Sequence, residues 1–280
     1  MASCTEHTRT KGNSTGPDDP AATISMKIIP LQSGSKGNCV FVETGGKRLL
    51  FDAGISGKQA QLRLNKAGYD INTVDALLIS HDHYDHASCL GVYQRKFNMP
   101  VYVTEPTLEA AQRKKPQGEL SDIRYFISGE TIDIGDIRVE TIRTAHDGQD
   151  GVVFVIDDGR SRVGIFTDLG HVFDGLADVI AELDAVMLES NYDPHMLDTG
   201  PYPMSLKRRV AGNGGHISNE QSANLLNSAA SGKMKWVCLS HLSDENNTPE
   251  LAYETHNRIL GGKMPIHVAS RNAAVAAMKA

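Results

Sequence analysis

A dense group of metal-binding residue types lies between Ser80 and His86, where the sequence reads SHDHYDH. It places His81, His83, Asp85 and His86 in the pattern H-x-H-x-D-H, directly after the apolar run 75–79, which is typical of a buried strand. Imidazole nitrogens and carboxylate oxygens are common ligands of zinc and similar divalent ions. The pattern therefore predicts a metal site at the end of a strand rather than a histidine-rich surface turn.

The spacing within this segment predicts positions for two ions. His81 and His83 are separated by one residue and point the same way on an extended segment, whereas Asp85 and His86 face a neighbouring position. Two ions need further ligands, and ligand-type residues follow three more apolar runs, at His146, Asp168 and His241. The Asp168 carboxylate is able to bridge two cations. The alternative for His146 and His241, each taken alone, is an ordinary surface or hydrogen-bonded histidine.

These residues, in this order, resemble the ligand set of the metallo-β-lactamase superfamily. Softer motifs resemble its YycJ/WalJ branch, which is associated with DNA exonuclease activity; they lie at residues 31–39, 51–54, 167–171, 189–193, 215–219 and 241–247. The resemblance implies a four-layer αββα sandwich, whereas the pattern of elements alone supports only a mixed α/β fold. It also implies a domain spanning residues 26–280.

The implied chemistry is hydrolysis assisted by two divalent ions, Zn²⁺ or Mn²⁺. The first ion is expected on His81, His83 and His146 and the second on Asp85, His86 and His241, with Asp168 between them. Asp85, Asp168 and His216 are the predicted catalytic residues. Asp52 ends another apolar run and is either a carboxylate that supports a ligating histidine or a cap for the turn at Gly54.

His216 lies in the glycine-rich segment 212–216, just before an expected helix start. A helix N-terminus binds phosphate readily. We therefore predict that His216, Ser218 and Ser243 contact the substrate and that His216 acts as a phosphate contact or as the acid for the leaving group. The alternative for this segment is a plain capping loop.

Charge neither requires nor excludes a nucleic-acid substrate. The chain has 28 Lys and Arg against 34 Asp and Glu, a net charge of −6, so phosphate binding needs a local concentration of basic residues. Candidate segments are residues 113–115, residues 207–209, and Lys233 with Lys235. DNA is the expected substrate; the alternative is a small-molecule phosphodiesterase, lactonase or thioesterase, and a third possibility is a non-hydrolytic binding protein of the same fold.

The rest of the sequence predicts a cytoplasmic enzyme without a membrane segment. No apolar run approaches the roughly 20 residues that span a bilayer, and residues 1–25 contain no apolar signal region. That N-terminal stretch is rich in polar residues, Gly and Pro and is expected to be a disordered extension. The four scattered cysteines do not suggest a disulfide framework.

Alternating patterns and turn residues predict the order of elements. Strands are expected at residues 27–31, 39–43, 48–52, 75–79, 101–103, 131–134, 137–142, 152–156, 162–167, 184–188, 236–240 and 265–268. Helices are expected at residues 57–67 and 87–97, from Pro106, before the strand at 184, on either side of 212–218, and after Pro249.

Overall fold

A computed structural model of the chain describes residues 25–280. Apart from Ser25, the predicted disordered extension lies outside the described residues. The first of two sheets contains β1 (Lys27–Gln32), β2 (Cys39–Thr44), β3 (Lys47–Phe51), β4 (Ala76–Leu78), β5 (Val101–Val103), β6 (Ile123–Tyr125) and β14 (Met278–Lys279). The second contains β7 (Thr131–Ile134), β8 (Ile137–Arg143), β9 (Val152–Asp157), β10 (Arg162–Phe166), β11 (Ala185–Glu189), β12 (Trp236–Ser240) and β13 (Ile266–Val268).

Helices cover the outer faces of both sheets. They are α1 (Gly57–Lys66), α2 (Tyr84–Ala87), α3 (Leu90–Phe97), α4 (Glu105–Lys114), α5 (Leu176–Ala181), α6 (Pro194–Thr199), α7 (Met204–Val210), α8 (Asn219–Ala229) and α9 (Pro249–Leu260). The strand orders are β14-β1-β2-β3-β4-β5-β6 and β13-β12-β11-β10-β9-β8-β7. The predicted hairpin joins β2 and β3, and its Gly45 and Gly46 adopt positive φ angles of 54° and 72°.

The fold has four layers, two sheets with helices on either side, and three layers of apolar side chains separate them. One fills the space between the sheets and includes the Phe51 and Phe154 rings, whose centroids are 5.1 Å apart. Leu50, the neighbour of Phe51, points to the opposite face and joins the layer beneath α1, α3 and α4. The third layer lies beneath α5, α8 and α9. The central strands of both sheets, such as β9, β11 and β12, are therefore buried on both faces, which suits their nearly continuous apolar sequences, whereas β7 and β8 alternate between buried and exposed residues.

Parallel pairing brings several strand ends to one edge. Strands β10, β11 and β12 run parallel, as do β3 and β4. The residues that follow β10 and β12, Asp168 and His241, therefore lie at the same edge as the end of β11. Both residues, and Asp52 after β3, adopt positive φ angles of 54–64°, a conformation that costs energy outside glycine.

The helix expected at residues 87–97 begins only at Leu90, as α3, and a separate one-turn helix, α2, precedes it. The segment after β3 causes the break, because the Ala53 N–H donates to the His86 carbonyl (2.7 Å) and the Cys89 N–H donates to the Ala53 carbonyl (2.9 Å). These bonds replace part of the helical ladder. Strands β6 and β14 and helix α6 are short and were not expected from the sequence. Within residues 25–280 no helix combines the length and hydropathy needed to cross a bilayer.

A buried histidine joins α8 to α9. The Nδ1–H of His256 donates to the Ala252 carbonyl (2.8 Å), and Nε2 lies 3.1 Å from the Ser222 hydroxyl, which is then the donor. Burial lowers the pKa of His256 from 6.5 to about 4. The native state therefore holds the neutral ring.

This histidine should make stability fall with acidification. Because its pKa is lower in the folded than in the unfolded state, the stabilisation is complete above pH 6.5 and is lost as pH falls towards 4. The stability of wild type relative to His256→Gln should fall by about 2 kcal/mol between pH 7.5 and pH 5 in urea unfolding. A difference between the two proteins that does not change with pH would contradict the assignment.

Candidate metal centre

All seven predicted metal ligands converge at the shared sheet edge. Their ligating atoms form overlapping groups in which all atoms lie within 4.8 Å of one another: His81, His83 and His146; His81, His86 and Asp168; and Asp85, His86 and His241. The first and third groups are the sets expected from the sequence for two separate ions. Asp168 lies between them, because its carboxylate oxygens are 3.0 Å from His86 Nε2 and 3.5 Å from both His146 Nε2 and His241 Nε2.

Neighbouring acceptors fix the orientation of the histidine rings. His86 Nδ1 lies 2.7 Å from Asp52 Oδ2, and because a carboxylate only accepts, the ring nitrogen donates. The same carboxylate also accepts from the backbone and hydroxyl of Ser80. Of the two roles considered for Asp52, the structure favours support of a ligating histidine. His146 is held in the same way, since its Nδ1 donates to the Gly215 carbonyl at 2.7 Å.

The centre fits a cation by the chemistry of its donors. With Nδ1 as donor, neutral His86 carries a lone pair on Nε2, which lies 3.0 Å from Asp168 Oδ2. Two acceptors at this distance repel each other unless a cation or a proton lies between them. Asp168 Oδ2 and His81 Nε2 are both buried and have no hydrogen-bond partner among residues 25–280. Buried polar atoms are rarely left in this state, so the site suits divalent metal ions.

The pKa shifts of these residues also favour a bound cation. Burial disfavours charge on His86, but Asp168, Asp52 and Asp85 outweigh this effect and raise its pKa well above the usual value. Burial would also raise the pKa of Asp168, yet His241 and His86 hold it well below its usual value. The carboxylates are therefore ionised and attract positive charge. Burial, assisted by His86, lowers the pKa of His81, so its ring is neutral and able to ligate.

A buried glutamate that was not among the predicted site residues lies beside the centre. Glu189 is the last residue of β11 and is fully buried. Its Oε1 accepts from His216 Nδ1 at 2.6 Å, and its Oε2 accepts from the Leu169 N–H at 3.0 Å. His216 is thereby brought within 3.5 Å of Asp168 Oδ1. The sequence carries a signal for Glu189, because this residue ends an apolar run. Asp168 and His241 come just after similar apolar runs.

The two predicted serine contacts lie close by, but their hydroxyls have local structural roles. Ser218 caps α8 by accepting from the Gln221 N–H, in a capping box. Ser243 is buried and accepts from the Asn246 N–H at 3.1 Å. Their roles as substrate contacts stay predictions. Asn191, near the end of β11, donates to the His241 carbonyl at 2.8 Å and so holds the loop that carries this predicted ligand.

The comparisons with known proteins agree with this geometry. A family model described as the metallo-beta-lactamase superfamily matches residues 33–241. The chain belongs to the metallo-β-lactamase superfamily. The predicted class of metal-dependent hydrolase is thereby confirmed.

Comparison with individual relatives assigns the chain to one branch of this superfamily. It is 36% identical over 240 residues to a Bacillus anthracis protein named exodeoxyribonuclease YycJ, covering 86% of this chain and 91% of that protein. It is 37% identical over 235 residues to exodeoxyribonuclease WalJ of Streptococcus pneumoniae, covering 83% and 87%. The chain thus belongs to the YycJ/WalJ-like branch, as its softer motifs predicted.

Solved structures confirm the predicted αββα fold. The metallo-β-lactamase fold protein YhfI from Bacillus subtilis matches with a TM-score of 0.69 at 16% identity, covering 90% of this chain and 99% of that one. At this level of identity the match is informative about architecture alone.

Close backbone packing at Gly54 holds the metal-binding segment in place. A Cβ added to Gly54 would lie 1.7 Å from the Asp85 carbonyl oxygen. The Gly54 N–H also donates to the Asn38 carbonyl (2.9 Å), while the Asn38 N–H donates to the Asp85 carbonyl (2.7 Å). Three loops therefore meet at a point where no side chain fits.

We expect Gly54→Ala to lower the free energy of unfolding by more than about 3 kcal/mol, because backbone must move to admit the methyl group. Metal affinity should fall as well, since the displaced carbonyl belongs to the predicted ligand Asp85. Gly232→Ala is the matched control, because a Cβ there meets nothing within 4 Å. Chemical unfolding and isothermal titration with Zn²⁺ measure both effects; equal behaviour of the two variants would contradict this role of Gly54.

Proposed function

We propose that residues 26–280 form a single hydrolase domain that holds two divalent metal ions, Zn²⁺ or Mn²⁺, and cleaves DNA from an end. His81, His83 and His146 would hold one ion, and Asp85, His86 and His241 the other, with Asp168 shared. The convergence of these seven residues and the pairing of their outer nitrogens support this assignment. Bound ions of this kind make hydroxide available near neutral pH and neutralise charge that develops on a phosphoryl group.

The pair of Glu189 and His216 is placed to supply a proton to the leaving group. Glu189 holds His216 Nδ1 and so fixes the ring plane, which leaves Nε2 as the nitrogen that serves the substrate. His216 is therefore placed to donate a proton to the leaving oxygen, and Glu189 is a positioning residue. This arrangement supports the acid role over the plain capping loop.

Two of the three basic segments reach the centre. Lys114 at the end of α4 contacts Asp82, between the ligands His81 and His83. Arg209 at the end of α7 makes two hydrogen bonds of 2.7 and 3.1 Å with Asp147, whose Oδ1 lies 3.3 Å from His83 Nε2. Lys233 and Lys235 precede β12 and so lie at its opposite end from His241. Basic residues are thus concentrated beside the site, as phosphate binding requires despite the acidic net charge.

The proposal that the substrate is DNA rests on one observation. Over most of its length the chain is similar to two proteins named exodeoxyribonucleases. The position of the basic segments agrees with a strand that passes across the metal centre. Of the functions considered, a nuclease therefore has the strongest support, ahead of a small-molecule hydrolase.

The metal assignment predicts a stoichiometry. Purified protein should bind two Zn²⁺ or Mn²⁺ per chain by inductively coupled plasma mass spectrometry, and His241→Ala should bind one tightly. Saturation should raise the melting temperature by about 5–10 °C, and a chelator should reverse this. His267→Ala, at an exposed position on β13, is the matched control and should keep both ions. A single ion in the wild type would overturn the binuclear assignment.

The functional test uses end-labelled double-stranded DNA, single-stranded DNA and RNA with added Mn²⁺ or Zn²⁺. We expect progressive shortening of DNA that Asp168→Ala abolishes, because this change removes the shared carboxylate. His216→Ala should retain both metals yet cut about 10²- to 10⁴-fold more slowly, the range typical of a lost general acid.

His267→Ala controls this series and should cut as the wild type does. Turnover of a small phosphodiester or thioester without cleavage of any strand would refute the nuclease assignment and leave the metal centre standing. Preferential shortening of RNA would identify RNA, in place of DNA, as the substrate.

A further inference from the structure

Tyr84 is an exposed aromatic side chain within an otherwise enclosed motif. It lies between the predicted ligands His83 and Asp85, at the first position of α2. Its relative exposure is 65%, whereas His81, Asp82 and His86 are buried. A phenol ring in this position adds nothing to the core, so its exposed face is free to bind a ligand.

A cationic group accompanies the ring. Lys115, just after α4, places Nζ 5.1 Å from the ring centroid, a cation–π arrangement. The adjacent Lys114 is fixed by its contact with Asp82. The feature therefore joins an aromatic face to a positive charge, the combination with which proteins bind single strands of nucleic acid.

Chain geometry places this feature beside the reacting groups. Adjacent Cα atoms are about 3.8 Å apart, so even with diverging side chains the Tyr84 ring lies within about 12 Å of the metal-binding atoms of His83 and Asp85. Bases in a stacked strand are spaced by about 3.4 Å, and the ring is thus within reach of a base two or three nucleotides from the phosphate at the metals.

We infer that Tyr84, with Lys115, is a stacking platform for a nucleobase close to the scissile phosphate. The inference rests on the proposed function, because it supplies the DNA contact of that same site. Stacking on the phenol ring does not depend on base identity, since every base has a π face, and Lys115 adds attraction to the neighbouring phosphate. The platform would hold a strand end in register during successive cuts without selecting a sequence.

The test compares steady-state cleavage of intact DNA with that of oligonucleotides carrying one abasic nucleotide at each of the five positions nearest either end. Tyr84→Ala should raise KM for intact DNA by roughly 5- to 150-fold with kcat little changed, because stacking is lost while the metals stay in place. Tyr84→Phe should behave as wild type, and Tyr84→Leu as Tyr84→Ala. On the oligonucleotide that lacks the stacked base, wild type and Tyr84→Ala should have equal KM.

Tyr253→Ala removes another exposed tyrosine, on α9, and should leave KM unchanged. Circular dichroism and metal content identify any variant that fails to fold. Two results would refute the platform: KM for intact DNA is unchanged in Tyr84→Ala, or KM rises equally on every abasic substrate. In either case, cleavage by the wild type would leave the nuclease assignment standing. Absence of cleavage by the wild type would refute the nuclease assignment itself, and the platform with it.

Discussion

The metal centre depends on charges that are buried at the meeting point of two sheets. Asp52, Asp168 and Glu189 are nearly or fully buried, and each would be costly to enclose without a partner. Each carboxylate therefore faces imidazole nitrogens: Asp52 and Asp168 face His86, and Glu189 faces His216. The pairs do not satisfy every atom, since Asp168 Oδ2 remains without a hydrogen bond among the described residues. Divalent cations would complete the charge balance that the protein alone leaves unfinished.

Such a cluster requires a backbone that does not relax. Asp52, Asp168 and His241 all adopt the left-handed conformation directly after or near the end of a strand, at a cost of about 1–3 kcal/mol each. The sheets supply the necessary rigidity, because apolar layers cover both faces of their central strands. These turns place the side chains of Asp168 and His241 in one cluster at the sheet edge. Strain at the site is thus offset by packing that lies well away from the chemistry.

Much of this could be predicted from sequence, because strand ends and ligand types are local features. The H-x-H-x-D-H segment and the strand-end positions of His146, Asp168 and His241 predicted a cluster that the structure brings together. Features set by tertiary contacts could not be predicted in this way. The break between α2 and α3 depends on hydrogen bonds to Ala53, over thirty residues away. The pairing of Glu189 with His216 depends on backbone hydrogen bonds that join the segment after β11 to the segment before α8.

Net charge is a poor guide to what such a protein binds. The chain is acidic overall, yet several of its acids are enclosed beside the site and paired with histidine, lysine or arginine. Asp82 and Asp147 each hold a basic side chain while lying next to a histidine predicted to bind metal. They tie the ends of α4 and α7 to the centre and bring the adjacent cations with them. Lys115, next to Lys114, is such a neighbour, so a cation lies close to the histidine motif although the chain as a whole is acidic.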